Sequence, residues 1–210
     1  MKSLIWDWNG TLLNDLDFCI ATINALLIKR ELPELSRLTY TEVFSFPVKE
    51  YYAAIGFDFT KEDFSVPAGE FIDLYNAGVT NCALQHSANE TLTHFSKMGF
   101  QQFVLSAMQQ NMLEHTLAAN GISKYFKAIA GLDDHYAVSK IERGEKLISS
   151  FNIDVKNALI IGDTIHDYEV AEKLGIDCIL IADGHQSLER LKTTKATILP
   201  NLEALLQLNI

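Results

Sequence analysis

Apolar and polar positions change rhythm twice along this chain. The first run, Ser3 to Trp8, is rich in Ile and Trp and is broken by Asn9-Gly10, which predicts a short buried strand ending in a turn. After Asp15 the spacing turns helical, with Phe18, Ile20, Ile23, Leu26 and Leu27 recurring up to the break at Lys29-Arg30-Glu31-Leu32-Pro33. Two further helical regions precede Thr80: Val43 to Ile55, where Pro47 splits or starts a helix, and Val66 to Asn76 after the Gly56-Phe57-Asp58 turn. Strand alternation is not sustained anywhere in this block, so residues 15–82 read as a helical insert.

From Ala88 onward helix and strand alternate. The pairs are Asn89 to Met98 with Gln102 to Ser106, Met112 to Asn120 with Ala128 to Ala130, Ile141 to Phe151 with Ala158 to Gly162, and Tyr168 to Leu174 with Cys178 to Ala182. A weaker strand at Ala196 to Leu199 and a helix from Asn201 follow. Such alternation implies parallel strands with right-handed crossovers. The predicted fold is therefore α/β: a doubly wound parallel-sheet core, residues 1–14 and 83–210, with an inserted α-helical cap over residues 15–82.

Composition narrows the function classes. With 17 basic and 27 acidic residues, a net charge of −10 and scattered Lys and Arg, the chain offers no basic footprint for nucleic acid or an anionic membrane. No apolar run approaches bilayer length, and the opening apolar run meets Asp7 too soon for a signal peptide, which predicts a cytoplasmic protein. Cys19, Cys82 and Cys178 lack Cys-x-x-Cys pairing and read as reduced core residues. Nothing in the pattern assigns an oligomeric state.

Four places carry chemistry. Asp7 stands at the carboxyl end of the first strand, the edge where ligands bind in open parallel sheets, and a carboxylate there can attack phosphorus to form an aspartyl-phosphate. The competing reading is an Asx turn at a simple Asn-Gly hairpin. Ile160-Ile161-Gly162-Asp163 with Asp167 repeats the pattern of apolar strand, glycine and carboxylate, a hard-oxygen set suited to Mg²⁺, although Thr164 or Asp167 capping the next helix accounts for part of it. Ser106 ends a strand ahead of a helix and can hold phosphate oxygens with backbone N–H groups. Lys140, at the start of the helix that feeds the Asp163 strand, is a compact cation able to neutralise phosphate and carboxylate, with Lys146 a nearby competitor.

Taken in order, Asp7, Ser106, Lys140 and Asp163 with Asp167 resemble the four motifs of the haloacid dehalogenase superfamily. Residues 89–184, with Gly121-Ile122-Ser123-Lys124-Tyr125-Phe126 and Ala171-Glu172-Lys173-Leu174-Gly175, are similar to its phosphoglycolate phosphatase branch. The resemblance implies a small phosphorylated substrate and Mg²⁺ as cofactor. Asp7 is then the nucleophile, Thr11, Ser106 and Ala107 lie on the substrate, Lys140 serves catalysis, and Asp7, Asp163, Asp167 and the backbone carbonyl of Asn9 hold the metal. Lys140 lacks the Pro that commonly follows it in this branch.

Asn9 departs from the pattern. Hydrolytic members of the superfamily carry a second Asp there, which protonates the leaving group and then activates water. An amide does neither, and general acid–base catalysis is worth about 10² to 10⁴ in rate. Three expectations follow: a slow phosphatase, its acid supplied by water, His166 or a cap residue; a carbon–phosphorus hydrolase using Lys49 of the cap as a Schiff-base amine; and a phosphate-ligand binding protein with little turnover. A dehalogenase fits less well, because those members work without metal and leave Asp163 and Asp167 unexplained.

Overall fold

The computed structural model describes residues 2–132 and 140–208, so Ala137 to Ser139 of the stretch before Lys140 lie outside the described residues. Strands β1 (Ser3–Trp6), β2 (Gln101–Gln109), β3 (Ala128–Leu132), β4 (Ala158–Gly162), β5 (Asp177–Ile181) and β6 (Thr197–Leu199) form one parallel sheet in the order β3-β2-β1-β4-β5-β6. The chain winds from β1 toward one edge, then from β4 toward the other, so the reversal of strand order falls between β1 and β4. Open α/β sheets bind ligands at that point.

Successive residues of β1 face opposite sides, as a period of two requires. Leu4 and Trp6 join a core with Leu92, Phe95 and Leu113, while Ile5 joins a second core with Phe103, Leu147, Val170 and Leu174. Full burial of each such side chain contributes about 1.5–3 kcal/mol. Trp6 keeps its one polar atom satisfied by donating Nε1–H to Gln102 Oε1 at 3.0 Å. The first core continues under the insert through Tyr51, Tyr52 and Phe57, so one apolar layer joins sheet and helices.

Between β1 and β2 the chain forms helices α1 (Leu16–Lys29), α2 (Arg37–Val43), α3 (Val48–Ala54) and α4 (Ser65–Gly78), then α5 (Ala88–Lys97) at the re-entry to the sheet. Pro47 stands immediately before α3, where its missing N–H costs nothing. In the predicted Val43 to Ile55 region Pro47 thus starts a helix, while α2 ends at Val43. In α2 only Tyr40 is buried, so the sequence shows no apolar stripe, and Ser36 instead starts the helix by accepting the Thr39 N–H. Outgoing and returning strands of the connection run side by side, with Asn14 N–H donating to Ala83 and Gln85 N–H to Leu12.

Helices α6 (Gln110–Ala119), α7 (Lys140–Phe151) and α8 (Ile165–Leu174) cover the sheet, and a four-residue α9 (Leu188–Leu191) follows β5. The helix expected from Asn201 is a tighter 3-10 turn, Leu202–Gln207. β2 runs past Ser106 to Gln109, with a register irregularity against β3 after Leu105.

Candidate active site

Asp7 directly follows β1, and its N–H donates to Ile161 of β4 at 2.8 Å, which sets the carboxylate over the reversal of strand order. Lys140, the first residue of α7, donates Nζ–H to Asp7 Oδ1 at 2.7 Å and Asp167 Oδ1 at 2.5 Å. Asp163, just past β4, accepts from Thr11 Oγ1 at 2.8 Å and from His185 N–H at 2.7 Å. Asp167 Oδ2 takes the N–H groups of Asp163 and Thr164 and the Thr164 hydroxyl, closing a capping box. Capping and site readings of Asp167 thus coexist, one on each carboxylate oxygen. Gly162 permits this: a Cβ there would lie 2.3 Å from the Asp167 Cβ.

One oxygen each from Asp7, Asp163 and Asp167 lie within 4.8 Å of one another, all three residues buried. Their electrostatics divide cleanly. Burial disfavours the Asp167 anion, yet the Lys140 charge and the hydrogen bonds hold its carboxyl below the ordinary range. Lys140 in turn stays charged against burial because Asp167 and Asp7 raise its pKa. Asp7 is left with the surplus: burial, with Asp167 and Asp163 nearby, outweighs Lys140 and pushes it up to about 8. Burial and Asp167 likewise push Asp163 to about 6, against the pull of His185.

A second buried pair, which sequence reasoning missed, sits beside the first. His185, on the loop after β5, places Nε2 3.2 Å from Asp15 Oδ1, and Asp15 is fully buried. Burial opposes the imidazolium, but Asp15 above all, then Asp163 and Asp7, raise it to about 9. Burial equally opposes the Asp15 anion, and His185, Tyr75 and Asn9 overcome it to hold Asp15 at about 2. Asp15 therefore pairs with His185 and Asp167 with Lys140. Among the described residues Asp7 shares Lys140 with Asp167, and Asp163 has no ion pair of its own, so three buried carboxylates face one ammonium, a deficit that suits one divalent ion. Hard oxygen donors on a rigid frame with that charge fit Mg²⁺.

The remaining expected residues fall in different places. Asn9 sits in the loop, but its amide nitrogen is committed, donating toward Asp15 Oδ2 at 2.9 Å and Tyr75 Oη at 2.7 Å. Ser106 is buried on β2, beside the Asp7 end of β1, and accepts the Met108 N–H at 3.1 Å; Ala107 next to it is exposed. Thr11, expected on the substrate, is fully buried and its hydroxyl donates to Asp163, which positions that carboxylate. Lys49 departs from the sequence reading. It is exposed on α3 with its ammonium 5.8 Å from the centre of the Phe59 ring, without the desolvation that a Schiff-base amine requires. His166 stacks on Phe46 of the insert at 4.7 Å, and burial together with Lys140 lowers its pKa.

A family model for haloacid dehalogenase-like hydrolases matches residues 4–181, and the chain belongs to that family. A phosphoglycolate phosphatase from Caulobacter vibrioides is 24% identical over 189 residues, covering 87% of this chain and 80% of the relative. Two solved structures share the fold across 99% of this chain. A haloacid dehalogenase-like hydrolase from Streptococcus pneumoniae has a TM-score of 0.85 at 18% identity with 97% of its own chain covered. A predicted phosphatase from Clostridium acetobutylicum has 0.82 at 22% with 99% covered. The chain is a hydrolase of the phosphatase type, in the phosphoglycolate phosphatase-like branch of that family. Among the described residues no helix is long and apolar enough to cross a membrane.

Proposed function

We propose that this chain is a Mg²⁺-dependent phosphatase that acts on a small phosphomonoester or acyl phosphate through an aspartyl-phosphate on Asp7, with residues 15–82 as its cap. The observation that carries the reading is that three buried carboxylates, Asp7, Asp163 and Asp167, gather around the one ammonium of Lys140 at the reversal of strand order. Asp7, Asp163, Asp167 and the Asn9 carbonyl would hold the ion, which supplies charge neutralisation at the transferring phosphoryl oxygens.

The chain's own residues then divide the work. An Asp7 oxygen forms the bond to phosphorus as the ester oxygen departs, and water later breaks the acyl-phosphate bond to release phosphate and regenerate the carboxylate. Lys140, fixed between Asp7 and Asp167, offsets the negative charge gathered there. The Asn9 amide nitrogen is held by Asp15 and Tyr75 and offers no acid, so the reaction favours substrates whose leaving group needs little protonation. A chromogenic aryl phosphate assayed with Mg²⁺ and with EDTA, and acid-quench trapping of phosphorylated Asp7, test this. Turnover is expected with Mg²⁺ alone and none in Asp7→Asn.

Asn9 also favours a second reading, a phosphate-ligand binding protein with little turnover. It predicts Mg²⁺-dependent phosphate binding without a trapped acyl-phosphate.

A further inference from the structure

Asp15 accepts five hydrogen bonds. Gly10 N–H reaches Oδ1 at 2.8 Å and His185 Nε2 at 3.2 Å; Oδ2 takes Tyr75 Oη–H at 2.5 Å, Asn9 Nδ2–H at 2.9 Å and Cys19 Sγ–H at 3.5 Å. A carboxylate offers about four lone-pair sites, so this one is saturated and its position is over-determined. Four of the donors lie on three separate parts of the chain that frame the nucleophile: the loop (Asn9, Gly10), the helical insert (Tyr75) and the loop after β5 (His185). His185 also holds Asp163 through its N–H, and its Nδ1 meets Tyr40 Oη of the insert at 3.1 Å.

Asn9, Asp15 and Tyr75 close a triangle in which every proton has one direction. The amide Nδ2 donates toward both Asp15 and Tyr75, and the phenol gives its own hydrogen to Asp15. Turning the amide over would set its oxygen against the Asp15 anion, so the network fixes the assignment of oxygen and nitrogen. A carboxylate at position 9 supplies neither hydrogen and brings a second anion to the 2.9 Å contact. We infer that Asp15 is the positioning residue that dictates an amide at position 9: Asn9 and Asp15 form an amide–acid pair that tolerates exchange only as a pair. The exchange Asn9→Asp with Asp15→Asn keeps the total charge and reverses the donor direction, with the amide now at position 15 and Tyr75 both donating to the carboxylate at position 9.

The test is a double-mutant cycle of wild type, N9D, D15N and N9D/D15N, read by thermal unfolding in EDTA. N9D is expected to melt about 5 °C or more below wild type, and the double variant to recover about half of that or more. A merely structural Asp15 would give a double variant worse than either single one. N9D as stable as wild type, or a double variant no better than N9D, overturns the inference; insoluble N9D with a soluble double variant supports it. A second arm rests on the phosphatase reading: N9D/D15N is expected to turn over the aryl phosphate about tenfold faster than N9D. The two readings separate, since coupling without turnover in any of the four proteins sinks only the phosphatase, and turnover in wild type with additive stabilities sinks only the pairing.

Discussion

Removing the divalent ion sets up the sharpest test of the charge arrangement, because it exposes Asp7 and Asp163 and leaves the two internal pairs intact. Without metal, folded Asp7 keeps its proton up to about pH 8 and Asp163 up to about pH 6, whereas both ionise near 3.8 in the unfolded chain. The folded state then binds more protons than the unfolded one, and stability falls as pH rises through that window. Each group contributes about 1.4 kcal/mol per pH unit while its protonation differs between the states. From pH 5 to 7 that is about 3 kcal/mol from Asp7 and about 1 kcal/mol from Asp163, an upper bound because local relaxation reduces both. With saturating Mg²⁺ both carboxylates are ionised in the folded state, and the slope from these groups vanishes. The assay is urea unfolding followed by circular dichroism at pH 5, 6 and 7, in EDTA and in Mg²⁺. The stability difference between the two is expected to widen by about 2–4 kcal/mol across this range. The His185 contribution, whose raised pKa stabilises below about 6.5 and is lost toward about 9, is held above all by Asp15 in both conditions, so taking the difference removes most of it. A difference that stays constant with pH would refute the assignment of Asp7 and Asp163 as the uncompensated pair.

Further outcomes follow from single contacts. Lys140→Met leaves Asp167 without its cation and is expected to cost about 3–5 kcal/mol in EDTA, measured by urea unfolding. Gly10→Ala places a Cβ at a φ of +73°, 2.2 Å from Asp163 Oδ2 and 2.4 Å from His185 Cδ2; calorimetry should find Mg²⁺ binding lost or weakened about tenfold or more. Arg190→Ala removes the guanidinium that donates to the Thr41 and Phe44 carbonyls of the insert. Hydrogen exchange should rise locally around Phe44, with little change in global melting.

The sheet was legible because its strands carry short Ile- and Leu-rich runs closed by Gly or a carboxylate, as in Ala158 to Gly162. The sites at the strand ends were legible for the same reason: Asp7 and Asp163 follow such runs directly. Lys140 was harder, since a lysine opening a helix reads as solvated until Asp7 and Asp167 are seen on either side of it. Asp15 and His185 were hidden by their context. Asp15 stands before a helix, where an acid is ordinary, and His185 lies in a polar Gly184-His185-Gln186 loop with no periodicity. A carboxylate shortly after an Asn that occupies a usual Asp position was the available signal. Lys49 misled for a physical reason: aromatic neighbours suggested a desolvated amine, but they pack inward as the core of the insert while the lysine stays at the surface.

The position of β1 in the sheet also bears on how the chain assembles. Ser3 pairs with Gln101 on one side and Ala158 on the other, so the strand that leads into Asp7 waits for both halves of the sheet. Loop closure over such separations is slow, while the helical insert makes its contacts locally, with α1 against α4. The order expected during synthesis is insert first, sheet last. In the interval Leu4-Ile5-Trp6 remains an unpaired apolar strand, the kind of segment that aggregates or engages chaperones. Truncations that end before Gly162 should therefore retain helical signal and yet precipitate.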